Sequence, residues 1–200
     1  MQTLDLTKTL NKDTFIYTDG DYTDPLLEID TWCTINQQGY HVSRLAMGTQ
    51  TGTHIDAPAH FQEGGDTLEA LPVEALIGPY FWIDLDRSSM LDDLGYQNQS
   101  ILFLTTTSQT HIEMPKRQFK KLLALPCLVW LIAYPVSIAG QDALYFHRAL
   151  AEAGKYLIED VDESVASLVE PNGKLIALPL RLAGVSGSPC RVIVHQRVEA

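Results

Sequence analysis

Four side chains able to offer a lone pair to a cation crowd into one short stretch, Gln50-Thr51-Gly52-Thr53-His54-Ile55-Asp56-Ala57-Pro58-Ala59-His60. Two are imidazoles, one is a carboxylate and one an amide, and no Lys or Arg interrupts them. Imidazole and carboxylate ligands together suit zinc, manganese or iron. On an extended segment His54 and Asp56 project to one side, where both could bind the same ion. Pro58 ends a strand, and a helical turn after it would bring His60 back toward that side. His60 could then ligate, or stand free as a proton shuttle, a role suited to a side chain that titrates near neutral pH. The plainer alternative is a tight turn capped by Thr and His.

One segment cannot enclose an ion, so further ligands are expected from elsewhere. His147 lies in an amphipathic helical stretch and Glu159 closes the short apolar run that follows it. A helix reversing into a strand can bring these two together, although on spacing alone a solvated histidine and a surface carboxylate are the default reading. His41, His111 and His195 have no such company and read as structural or solvated.

The elements that position these residues follow from apolar period and punctuation. Residues 7–25 are polar and read as an irregular arm. Leu26 to Asn36 alternates as a strand, Gln37 to Gly39 as a turn, and Tyr40 to Met47 as the paired strand. Val73 to Ile77 reads as a short helix stopped by Gly78-Pro79. Tyr80 to Leu85, Ile101 to Thr105 and Leu128 to Ala133 are buried strands, and Lys116 to Leu123 is a short helix. Asp142 to Ala153 is an amphipathic helix ended by Gly154. Tyr156 to Ile158, Leu175 to Leu180 and Val192 to Val194 are strands. Strand and helix thus alternate in the C-terminal half, which predicts an α/β fold.

Bulk properties bound the function. Two hundred residues with 46% hydrophobic and 20% charged content fit one globular domain, residues 1–200. The net charge of -11, from 25 acidic and 14 basic residues, argues against nucleic acid and anionic membrane as partners. Three cysteines, far apart in sequence, argue against a disulfide framework. The start of the chain lacks a signal-peptide pattern, and the longest apolar stretch is broken by Pro126 and Pro135. A cytoplasmic enzyme is expected.

The segment from Gln50 to Phe61 closely resembles the signature His-x-Gly-Thr-His-x-Asp-Ala-Pro-x-His of the cyclase superfamily, which includes kynurenine formamidases and isatin hydrolases. Gly64 to Leu71 with Ile77-Gly78-Pro79, His147 through Glu159, and Leu178 to Gly184 with Gly187 to Arg191 resemble its further blocks, in order. Asp19-Gly20-Asp21-Tyr22 is a fainter match to its N-terminal Pro-Gly-Asp. The resemblance implies a swivelling β/β/α fold, a single domain with a mixed sheet. It also implies a divalent metal cofactor, Zn2+ or Mn2+, as one or two ions. By position, Gln50, His54 and Asp56 would hold one ion, and Asp56, His147 and Glu159 the second. His60 would be the acid/base residue.

The activity so implied is hydrolysis of a small amide, lactam or lactone by an arylformamidase-like enzyme acting on C–N bonds other than peptide bonds, within a homodimer or homotetramer. A metal-dependent cyclase or dehydratase, or a decayed binding protein, is the alternative. Three departures bear on this. Gln50 replaces the signature's first histidine. Thr18, preceded by Tyr17, stands where formamidases carry a pocket aromatic. The family's acidic loop reads here as Ala133 to Ala139 with Ser137.

Overall fold

The computed structural model describes residues 1–86, 96–108 and 110–197. Along the chain come β1 (Gln2–Asp5), β2 (Thr18–Asp19), β3 (Tyr22–Thr23), β4 (Glu28–Cys33), α1 (Ile35–Gln38), β5 (Val42–Ala46) and β6 (His54–Asp56). Then follow β7 (Ile77–Asp84), β8 (Ile101–Thr105), β9 (Ile112–Met114), α2 (Lys116–Leu123), β10 (Val129–Ile132), β11 (Val136–Ile138) and α3 (Tyr145–Glu152). The last are β12 (Tyr156–Glu159), α4 (Glu163–Ala166), β13 (Gly173–Pro179) and β14 (Gly187–Gln196). Short 3-10 turns occupy Pro58–His60, Leu68–Ala70 and Val73–Leu76.

The main sheet is mixed, as an α/β chain of this pattern predicts. Strands β7, β8, β10 and β12 run parallel. β6 pairs antiparallel with β12 on one side and with β14 on the other. β14 pairs with β13, and β13 returns to β7, so the sheet closes into a barrel-like ring with β1 added outside on β14.

The parallel strands read as unbroken apolar runs because both of their faces are covered. Ile101, Phe103, Val129, Leu131, Tyr156 and Ile158 join one core cluster with Leu175, Val192 and Val194 from the antiparallel side. The alternate residues Leu102, Leu104, Trp130, Ile132 and Leu157 join a second cluster with Phe119 and Leu122 of α2 and Phe146 and Leu150 of α3. Trp130, Phe119 and Phe146 form a ring contact group there. Each fully buried side chain of this kind contributes about 1.5–3 kcal/mol. Together they fix α3 against the outer face of the parallel strands.

Several expectations are corrected. The expected irregular arm contains the β2–β3 hairpin. The turn at residues 37–39 belongs to a helical turn, α1, whose cap Thr34 makes a reciprocal box with Gln37 and whose end is Gly39 at φ 82°. Val73–Leu76 is a single 3-10 turn, and Gly78-Pro79 lie inside β7, where Pro79 sits in the β13 register opposite Lys174. β14 is ten residues long rather than three. Its Gly, Ser and Pro at 187–189 conceal strand geometry, because they serve a close approach of backbones rather than an apolar face.

Among the described residues, no helix is long and apolar enough to cross a membrane. The three cysteines are unpaired.

Candidate metal centre

The ligand geometry begins with strand register. β6 buries Ile55 in the ring's core and thereby turns His54 and Asp56 to the opposite, outer face. β12 does the same with Ile158, which turns Glu159 outward. Antiparallel pairing sets Glu159 directly across from His54 and Leu157 across from Asp56. Facing pairs of this kind lie within side-chain reach. His54 and Glu159, far apart in sequence, therefore meet by register.

His54 Nε2 lies 3.5 Å from Asp56 Oδ1 and 3.5 Å from Glu159 Oε1. One ligand atom from each of the three residues lies within 4.8 Å of the others. Helix α3, held down by Phe146 and Leu150, extends His147 over this group, with Nε2 3.2 Å from Glu159 Oε2. Phe61 covers the outer face of the His147 ring at a centroid distance of 5.3 Å.

Orientation of the first imidazole is set from behind. His54 Nδ1–H donates to the carbonyl of Gly52 at 2.7 Å, which leaves Nε2 toward the carboxylates. Such partners fix a ligand's tautomer. Gly52 has φ +64°, a region costly for residues with a Cβ.

The electrostatics describe a cluster built for positive charge. His54 and Asp56 are buried, at 6% and 5% exposure. Burial alone would lower the His54 pKa, but the Glu159 hydrogen bond and the Asp56 and Glu159 charges outweigh it and push it up to about 9. Burial raises the Asp56 carboxyl to about 7, against the pull of His54. Glu159 is the reverse: burial opposes its charge, yet bonds from His147 and His54 hold its carboxyl far below the usual range. His147 is raised, the Glu159 bond outweighing burial.

Asp56 Oδ1 is buried without a hydrogen-bond partner, and so is Nδ1 of His147. An orphaned carboxylate oxygen in a dry site is costly. A cation among His54, Asp56, Glu159 and His147 would satisfy it, and two imidazoles with two carboxylates are a competent donor set. These residues fit a divalent metal.

The other two site candidates lie outside the group. Gln50 is next to it, its Nε2 donating to Ser186 Oγ at 3.2 Å while its Oε1 accepts from Thr49. His60 stands exposed on the 3-10 turn after Pro58, against Phe61 at 4.5 Å between ring centroids. Its pKa is lowered, chiefly by partial burial and then by the His54 charge. The Glu159 and Asp24 charges oppose that shift.

Residues that sequence reasoning missed brace the two ligand strands. Thr53 Oγ1 donates to the Asp160 carbonyl at 2.7 Å and accepts from the Lys8 backbone N–H at 2.9 Å. The Lys8 ammonium pairs with the Asp160 carboxylate. Asp160 takes φ 54°, which turns the chain sharply after Glu159. Gly187 brings β14 against β6 so closely that a Cβ there would stand 2.5 Å from Gln50 Nε2 and 2.7 Å from the Ile55 carbonyl.

A closed ring of mixed strands with an outward His/Asp/Glu group under a helix defines an α/β protein with a cation-attracting centre. Residues 4–147 match the family model described as Putative cyclase, and the chain belongs to that family. It is 27% identical over 210 residues to the kynurenine formamidase of Bacillus mycoides (strain KBAB4), covering 97% of each chain. The structure is similar to an isatin hydrolase solved with the product analogue thioisatinate, with TM-score 0.80, 19% identity, and coverage of 98% of this chain and 93% of that one. It is also similar to a potential metal-dependent hydrolase with cyclase activity, with TM-score 0.72, 24% identity and coverage of 99% of each.

Proposed function

We propose that this chain is a metal-dependent hydrolase of a small amide, lactam or lactone, acting on C–N bonds other than peptide bonds. The observation that carries the reading is the convergence of His54 Nε2, Asp56 Oδ1 and a Glu159 oxygen in one buried group, with the Asp56 oxygen left without a hydrogen-bond partner. The names of its relatives, a formamidase and an isatin hydrolase, give the reaction class.

His54, Asp56, Glu159 and His147 would hold zinc or manganese. When bound, such an ion polarises a carbonyl and makes water a stronger nucleophile at neutral pH. Phe61 and the buried strand residues exclude bulk water from one side of the centre. His60, neutral at physiological pH because its charged form is disfavoured, accepts the proton released as water adds to the substrate carbonyl. It returns that proton to the nitrogen or oxygen that departs. Asp56 and Glu159 stay ionised once their counter-charge is in place.

We propose further that the enzyme works in the cytoplasm, a reducing compartment that its three unpaired thiols suit. Its working form is proposed to be a homodimer or homotetramer.

The test is hydrolysis of a panel of N-formyl arylamines, lactams and lactones in 18O-labelled water by the metal-loaded protein. One label in the acid product supports hydrolysis; turnover without label supports the cyclase or dehydratase reading. Asp56→Ala is expected to lose the ion and at least about a thousandfold in kcat/KM, since metal assistance supplies several kcal/mol. An Asp56→Ala protein with normal turnover rules this centre out.

A further inference from the structure

Gln50 stands where the signature has an imidazole; its two hydroxyl neighbours could serve either amide orientation, and the Asp56 carboxylate, which takes a hydrogen bond from Gln50, is what turns the N–H inward. Thr49 donates its hydroxyl to Gln50 Oε1, while Nε2 donates to Ser186 Oγ. The same nitrogen borders Asp56: a Cβ built on Gly187 would lie 2.5 Å from Gln50 Nε2 and 3.3 Å from Asp56 Oδ1. An amide nitrogen has hydrogens to give and no lone pair for a metal. Beside a carboxylate, that orientation is the favourable one.

The other donors on this side are already committed. His54 spends Nδ1–H on the Gly52 carbonyl and has one nitrogen left, which faces Asp56 and Glu159 together. One imidazole nitrogen carries one lone pair and serves one ion. β14 closes in behind through Gly187, whose backbone leaves no space for even a methyl group between Gln50 and the Ile55 carbonyl. Among the described residues, a single group of His, Cys, Asp and Glu side chains could hold a metal, the one containing His54, Asp56 and Glu159.

We propose that this centre takes one divalent cation per chain, and that Gln50 sets that number by presenting an amide N–H where a second ion would need a ligand. The inference rests on the metal reading above. Gln50 is then a positioning residue: it holds the β6–β14 side of the centre closed through Ser186 and keeps the Asp56 carboxylate facing His54 and Glu159. A two-ion enzyme shares the carboxylate between metals, whereas here the whole of Asp56 is left to one ion and to the substrate's surroundings.

The experiment is metal stoichiometry on the full chain, stripped with chelator and reloaded with zinc alone or manganese alone. Bound metal is counted by inductively coupled plasma mass spectrometry after gel filtration. The natural chain is expected to hold one equivalent. Gln50→His is expected to hold two, because imidazole supplies the missing lone pair. Gln50→Glu, a second route to a ligand at the same position, is also expected to hold two, and thermal unfolding of each variant establishes that it is folded. Two equivalents in the natural chain, or one in both folded variants, overturns the proposal while leaving a metal enzyme in place. No metal in any of the three proteins is a different result, which overturns the metal reading itself and this inference with it.

Discussion

His60 and the ligand residues differ in what they need from their surroundings. The proposed ligands are buried or half-buried and share charge, whereas His60 stands exposed at the rim with a lowered pKa. His60→Ala is therefore expected to keep its bound ion and lose about 10²–10⁴-fold in kcat; loss of the ion instead would make His60 a ligand. The pH dependence follows in sign. In the proposed mechanism the base is the neutral imidazole of His60, and partial burial disfavours its charged form, so the neutral form persists below the ordinary value of 6.5. A cation at the centre repels imidazolium and pushes the same way. The acid limb of kcat/KM should have its midpoint below 6.5, with activity lost as pH falls through it. A midpoint well above that value in the wild type, unmoved in His60→Ala, would assign the limb to another group.

Ligand strands β6 and β12 are short, and their alignment depends on contacts outside the centre. Thr53 is the bridge: one hydroxyl joins the strand before His54 to the turn after Glu159 and to the N-terminal segment at Lys8. Thr53→Val keeps the shape and removes the hydroxyl, leaving the part-buried Asp160 carbonyl without its donor and the Lys8 N–H without its acceptor. A loss of about 1–3 kcal/mol in urea-unfolding free energy is expected, with ion affinity weakened about tenfold or more. An unchanged unfolding midpoint and unchanged affinity would show that the strands align without it. These particulars also mark what the sequence could reveal. The His54, Asp56 pair was legible from period-two spacing, and the buried strands from their apolar runs. His147 and Glu159 became candidates through the resemblance, since spacing alone left them open. Lys8, Thr53 and Asp160 were illegible because their bond crosses from residue 8 to 53 to 160, and a single threonine or lysine carries no periodic signal. Strand residues Gly187 to Pro189 were missed because backbone proximity, not hydrophobicity, selects them.

At the scale of the molecule, exposed apolar side chains are unevenly spread. The β4–β5 hairpin and its ends carry Leu26, Ile29, Trp32, Ile35, Tyr40 and Leu45, all exposed, Trp32 at 73%. A two-stranded hairpin is marginal in water on its own, and apolar patches of this kind mark contact surfaces. The chain also has an apolar groove of about 480 Å³ between Leu68–Leu76 and Leu178–Leu182. A second copy of the chain covering the hairpin is the reading that supports a homo-oligomer. Trp32→Glu combined with Ile29→Glu is expected to shift the mass measured by light scattering toward that of one chain, 22.3 kDa. A wild-type chain that is already monomeric at micromolar concentration would end the oligomer proposal.

The closure of the sheet has a consequence for biosynthesis. The strand bearing His54 and Asp56 has both of its hydrogen-bonding neighbours in later sequence, one ending at Glu159 and one beginning at Gly187. As the polypeptide emerges from the ribosome, that segment waits unpaired until β12 has followed it out. The four side chains proposed to hold the ion come together only after β12, which ends at Glu159, has been made and paired with β6, so the early segment alone offers no formed site.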